Sequence, residues 1–391
     1  MLGSIYVGLS GMNAFSKGLQ TISNNVANMN SLGFKATSVN FANVFSTGGL
    51  GASYSGQGSH TGGGVRFSSL GLNFAQGDMR STGGDLDLAV QGAGFLTLTE
   101  GNQTYYARTG QFAVGEDGYV VSLGSKYRLN VFDASRRPQE VNVDLKRTSP
   151  PVATTKIKLD GYVGGVGAAG VSTSKIKVYD SSGAAKEWTV TISKGTEANA
   201  KWKVSIKDAL NVAVGDEQEL EFNGPGGPMG ISTLDFIYTD SNGQPATVKL
   251  DCSLLQNISA SGGISGTADG SATGTLVKVA VNDKGELELT YSNAKKESLG
   301  AVVLADFRDA QKLEQLGNGL FRSNGGTPRF GQSDQNGLGK LMPGSVEASN
   351  VDLSQQFGDL ILIQRGFQAS SQVVSVSNDM IQQLFGIRGQ G

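Results

Sequence analysis

Both ends of this chain carry helical periodicity, and nearly everything between them reads as strand. At the start, Leu2, Ile5, Leu9, Met12, Leu19 and Val26 recur in a three-four alternation, with Ile22 beside them and Ser16, Ser23 and Asn30 filling the remaining seam positions. Such a heptad stripe predicts one amphipathic helix over residues 1–30. Gly8, Gly11 and Gly18 each weaken a helix by about 1 kcal/mol relative to alanine, so this one is marginal alone and needs a partner. Asn30, Ser31 and Gly33 in NSLGFK supply its stop. The far end mirrors the near one. Leu353, Phe357, Leu360, Phe367, Val374, Ile381 and Leu384 recur every three or four residues or at multiples of that spacing, Ile363 and Ile387 widen the stripe, and Ser371 and Asn378 interrupt it. The cap lies among Ser349, Asn350, Asp352 and Ser354. Gly366, in mid-helix, marks a close approach of another backbone. Two readings follow: an antiparallel pair closing one domain, or seams that also face neighbouring copies.

Between the helices the period changes to two. DLDLAV, FLTLTE, QTYYAR, YVVSLG and YRLNVF predict one set of short strands. After SPP at Ser149–Pro151 a second set follows: TKIKLDGYV, SKIKVYD, EWTVTIS, WKVSIK, QELEFN, LDFIYTD and TVKLDCSL, separated by turns such as SSG and SNG. Glycine is abundant, 57 residues against a usual share of about 7%, and concentrates in turns and in the stretch 46–64, which reads as a linker or extended arm. The predicted fold class is α+β and multidomain, a terminal coiled-coil pair plus nested all-β domains of barrel or sandwich type. The predicted division is 1–30 with 346–391 as helical core, 31–75 as arm, 76–147 with 285–345 as inner β domain, and 148–284 as inserted outer β domain.

The search for chemistry is mostly negative. Lys and Arg number 32 against 34 Asp and Glu, which gives no electrostatic footprint for nucleic acid. One cysteine, Cys252, excludes an intrachain disulfide, and one histidine, His60, sits in the glycine-rich stretch, a poor place for a catalytic base or a metal ligand. Asp85 and Asp87 share one face of a predicted strand with a wet side, which favours a structural role over acid–base work. GAGF at Gly92–Phe95 reads as a hairpin turn, Cys252 as a small buried residue, and Trp188 and Trp202 as core. Asn102 and Asn257 match the glycosylation pattern only weakly. No catalytic, cofactor or metal residue is expected, no apolar run is long enough to span a membrane, and no basic leader precedes Lys17.

The ends carry a resemblance. GLSGMNAFSKGLQTISNNVANMNSLGFK (Gly8–Lys35) resembles the N-terminal signature of flagellar rod and hook proteins, and the Gly344–Arg388 segment, with SNVDLS and QRGFQA, resembles their C-terminal one. STGGDLDLAVQGAGFLTL and YYARTGQFAVGEDGYVV look like the β domain those subunits share. The β-rich insert from about 150 to 285 looks like the outer domain of the hook type, where a distal rod subunit is shorter. The resemblance implies a non-enzymatic subunit of a flexible helical tube that carries motor torque. It implies partners in copies of itself, the distal rod, the hook cap, the hook–filament junction and the flagellar type III export apparatus. It also implies an extracellular place reached without a cleaved signal peptide, and terminal helices that order only in the polymer. The apolar stripes above, Leu2 to Val26 and Leu353 to Leu384, are the assembly positions expected from it. A surface adhesin built on the outer domain is the rival from another class.

Overall fold

The computed structural model describes residues 2–45, 62–164, 170–194, 201–222, 226–230, 232–258 and 263–388. They form two compact units, Met1–Asp144 with Ala280–Glu288 and Ser298–Gly391, and Leu145–Val279 with Leu289–Glu297.

The first unit holds both terminal helices, α1 (Leu2–Ala27) and α2 (Leu353–Arg388). Asp352 caps α2: its carboxylate accepts the N–H groups of Ser354 at 2.8 Å and Gln355 at 3.1 Å, two of the donors that a helix start leaves unpaired. Beyond α1 the chain turns through Gly33, at φ +64°, where a Cβ would sit 2.9 Å from Thr109 Cγ2. It then enters β1 (Thr37–Phe45), which pairs antiparallel with β2 (Gly62–Leu72) from Thr37↔Leu72 to Phe45↔Gly62. Within the predicted arm, 37–45 and 62–72 thus form a two-stranded ribbon. Of the glycine-rich stretch, 46–61, with His60, lies outside the described residues, and 62–64 open β2.

The rest of this unit is built on a large antiparallel sheet. Its main path runs Leu313–Gln315, Leu320–Ser323, Gln103–Ala107, Phe95–Glu100, Arg128–Phe132, Val120–Ser122, Thr109–Val114, Asp87–Gln91 and Lys340–Pro343. Leu88, Leu96, Leu98, Leu129, Val131, Phe321 and Leu341 are fully buried in its core. Two expectations are corrected here. The strand at Asp87–Gln91 is buried on both faces, not wet on one: Asp87, Leu88, Ala89 and Val90, whose side chains alternate between the faces, are all buried. Asp85 precedes that strand, while Asp87 accepts hydrogen bonds from Thr82 Oγ1 at 2.5 Å and Gln111 Nε2 at 3.3 Å. The GAGF turn, with Gly92 at φ +91° and Gly94 at +113°, is no hairpin, since the strands it joins are not neighbours in the sheet.

The second unit is a sandwich, not a closed barrel. One sheet orders Thr233–Thr239, Pro245–Gln256, Lys156–Tyr162 and Gly263–Ala268, its middle pair running parallel. The other orders Val171–Ser172, Ala185–Lys194, Trp202–Asp208 and Gln218–Leu220, with Ile176–Tyr179 also on Ala185–Lys194. Alternate residues of both sheets enter one core around Trp188, Val190, Ile206, Phe236, Leu250 and Cys252. Trp202 joins the same core.

Candidate functional site

The two terminal helices pack against each other antiparallel, and at most of the contacts one of the two residues that meet is glycine. Along α1 the buried positions are Gly8, Gly11, Ala14, Gly18, Ile22 and Asn25, which themselves repeat by threes and fours. A Cβ added at Gly8 would lie 2.7 Å from Val374 Cγ2 and 3.2 Å from the backbone oxygen of Ser370. At Gly11 it would lie 2.6 Å from Ser370 Oγ, and at Gly18 2.6 Å from Ile363 Cδ1. Reciprocally, a Cβ at Gly366 of α2 would lie 2.6 Å from Phe15 Cε1. Glycine thus brings the helix axes closer than bulkier seams allow. At the root of the pair Asn25 Nδ2 donates to Gln356 Oε1 at 2.9 Å.

The expected apolar stripes flank this seam. On α1 only Ile22 is buried; Ile5, Met12, Leu19 and Val26 are half-buried, and Leu9 is exposed. On α2, Leu353, Leu360, Ile363, Phe367, Val374 and Ile381 are half-buried, while Phe357 and Leu384 are exposed. The side chain of Leu2 lies outside the described residues. The stripe of α1 is rotated by one residue from the line along which the helices touch. What remains outward is large and apolar: Tyr6 (66% exposed), Leu362 (68%) and Phe385 (69%), with Ile361, Val373, Val376 and Met380.

Below the pair, polar side chains of the two end signatures fasten the chain where it enters and leaves the helices. Asn25 donates to the Thr37 carbonyl at 2.8 Å and accepts the Thr37 N–H at 3.0 Å. Asn350 accepts the Ala36 N–H at 2.8 Å and donates to the carbonyls of Asn73 and Ala75 at 2.7 and 2.8 Å. Between them lies a buried ion cluster. Lys35 Nζ meets Glu347 Oε1 at 2.7 Å with both side chains fully buried, and Arg108 Nε meets Glu347 Oε2 at 3.3 Å. Burial pulls the Lys35 ammonium below its ordinary pKa and Arg108 adds to the fall, while Glu347 opposes it. Nothing in the residue pattern marked this cluster, because its members are scattered through the chain and a lone lysine or glutamate reads as solvated.

Among the described residues no group of three or more His, Cys, Asp or Glu side chains could hold a metal ion, and no helix is long and apolar enough to cross a membrane. The Cys252 thiol is fully buried and its pKa is pushed up to about 12 by that burial, with Asp251 adding to it. A cavity of about 690 Å³ is lined by Asp306, Arg308, Asp309 and Arg329, and Arg329 is paired with Asp306 at 2.8 Å.

Comparison with known proteins points to the same two ends. Residues 5–35 match the family model for flagella basal body rod proteins, and residues 342–387 match that for the C-terminal part of the flagellar basal body rod FlgEFG proteins. Over 97% of its length the chain is 29% identical to the flagellar hook protein FlgE of Escherichia coli K12, covering 98% of that protein. It is 26% identical to the FlgE of Treponema pallidum, over 99% of this chain and all of that one. The crystal structure of the Helicobacter pylori hook protein FlgE2 aligns with a TM-score of 0.48 at 13% identity, covering 69% of this chain and 99% of that one.

Proposed function

We propose, from the premise that this chain is a homologue of the flagellar hook proteins along nearly its whole length, that it is the structural subunit of a bacterial flagellar hook and polymerises into a flexible tube that transmits motor torque. One observation carries the reading beyond kinship. Gly8, Gly11, Gly18 and Gly366 face the opposite helix, while many large apolar side chains of the pair stay outward, with Tyr6, Leu9, Phe357, Ile361, Leu362, Leu384 and Phe385 each at least half exposed. A lone chain gains nothing from so much wet apolar surface on one helix pair, whereas neighbouring copies in a polymer would cover it. Leu9, Phe357 and Leu384 of the expected stripes are read as contacts between copies, and Ile22 as part of the inner seam. Distal rod, hook cap, hook–filament junction and type III export apparatus are its proposed partners, on the cell exterior, with no catalysis assigned.

The test is negative-stain electron microscopy of a strain deleted for this gene, with and without a plasmid copy. Rods ending without hooks, restored by the plasmid, are expected. Intact hooks in the deletion strain would refute the assignment, and truncated rods would move the protein to the distal rod.

A further inference from the structure

Glu347 is the anion for two buried cations, and the three residues come from distant parts of the chain. Lys35 lies just beyond α1 and Glu347 just ahead of α2, 312 positions apart. Arg108 belongs to the β sheet and is 239 positions from Glu347. Arg108 is held independently of the ends, donating from Nη1 to the Gly94 carbonyl at 2.5 Å and from Nη2 to the Val90 carbonyl at 3.0 Å. Lys35 donates a second bond to the Ala75 carbonyl at 2.8 Å, and Glu347 Oε1 also accepts the Gly77 N–H at 2.8 Å. The backbone of Glu347 is tied in as well: its N–H donates to Thr109 Oγ1 at 3.0 Å and its carbonyl accepts the Gly33 N–H at 2.8 Å.

The order in which these groups can come together follows from their charges. Without Glu347, seating Lys35 would bring a second cation beside Arg108 in a site closed to water, and both desolvation and like-charge repulsion oppose that. Without Lys35, Glu347 would enter the same site with Arg108 as its one cationic partner, and its Oε1 would keep only the Gly77 N–H. A buried ion cluster of this kind is weak as a source of stability, but breaking it by removing one member leaves an uncompensated charge. We infer that Glu347 couples the two ends of the chain, so that α1 is seated on the β sheet only when the segment leading into α2 is seated with it. The coupling concerns the docking of each helix root within one subunit and does not depend on what the outer faces of the helices contact.

Hydrogen–deuterium exchange of the full-length chain, in whichever state, free or assembled, the wild type protects residues 28–44 and 345–356, tests this on Glu347→Gln and Lys35→Met. In Glu347→Gln, amides of residues 28–44 should exchange at least about tenfold faster, the equivalent of losing one charged hydrogen bond. In Lys35→Met the same acceleration is expected over residues 345–356, at the other end of the sequence. Amides of the sheet strands between 95 and 132 serve as the control and should hold within about twofold. Acceleration confined to the segment that carries the substitution would overturn the coupling. Where Glu347→Gln loosens the control strands too, Lys35→Met decides, since Glu347 then keeps Arg108: faster exchange over 345–356 upholds the coupling and unchanged exchange there refutes it.

Discussion

The helix pair and the sandwich distribute the same kinds of residue in opposite ways. In the sandwich Trp188 and Phe236 are 1% exposed and Trp202 5%, in a core made by residues of that unit, and the apolar side chains left most exposed, such as Leu210 and Ile237, are aliphatic. In the helix pair four of the six buried seam positions of α1 are glycine or alanine, and Tyr6, Leu362 and Phe385 look outward. A sheet with bulky residues inside is finished when the chain folds. A helix pair with bulky residues outside keeps apolar area in water that, on the proposed function, neighbouring copies would cover. On that reading the difference separates stability that belongs to one molecule from stability that belongs to an assembly.

Trp188→Ala should break the sandwich and spare the helices. Truncating a fully buried tryptophan costs about 3–5 kcal/mol, and the thermal transition of this unit, followed by tryptophan fluorescence of the remaining Trp202, should fall while helical circular dichroism persists at low temperature. A parallel loss of helicity would show that the regions are not independent.

Glycine substitutions sharpen the contrast from the other side. Gly18→Val places its Cβ 2.6 Å from Ile363 Cδ1 and should cost about 1–3 kcal/mol by overpacking, read as lost helicity with the sandwich transition unmoved. Gly358→Ala, with nothing within 4 Å of its Cβ, should instead stabilise α2 by about 0.5–1 kcal/mol. Equal effects at the two positions would mean that helix propensity, not the seam, sets the response.

The smallest effect is expected in acid. Asp180 is held well below the usual carboxylate range chiefly by the hydroxyls of Ser182 and Ser241, and Asp251 by Lys156 and Ser253. Ser181 and Ser241 reciprocate, each bonding the aspartate of the other turn, Asp240 and Asp180. A folded pKa below the unfolded value of about 3.9 adds stability above that pH and loses it as the pH falls toward the folded value. The sandwich should therefore weaken below about pH 4, and Asp180→Asn should flatten that dependence in denaturation curves taken between pH 5 and pH 2.

Much of this could be read from residue order alone. The strands of both units are found where alternation placed them, because a two-residue period with Gly, Asn and Asp turns is a local property. EWTVTIS, for example, lies within Ala185–Lys194, with Trp188, Val190 and Ile192 inward. Both helices are likewise where the periodicity put them. Their seam was missed because periodicity counts apolar bulk, and glycine has none. Gly8, Gly11 and Gly18 look like defects in a stripe of Leu9, Met12 and Leu19, although their own spacing draws the contact line. Gly366 alone gave the right signal. The β1–β2 ribbon was hidden in a glycine-rich stretch, and the Lys35–Arg108–Glu347 cluster by sequence distance, since a buried charge is recognised only with its partner beside it.

A seam of glycines also has a mechanical meaning. Side chains that interlock make two helices behave like a toothed bar, stiff and fixed in phase. Where Gly8, Gly11 and Gly18 face Val374, Ser370 and Ile363, one side of the joint has no teeth. The axes lie close, the cross-section is slender, and resistance to bending falls steeply as a rod thins. Such a pair can be long, α2 alone spanning about 54 Å at 1.5 Å per residue, and still yield sideways without coming apart.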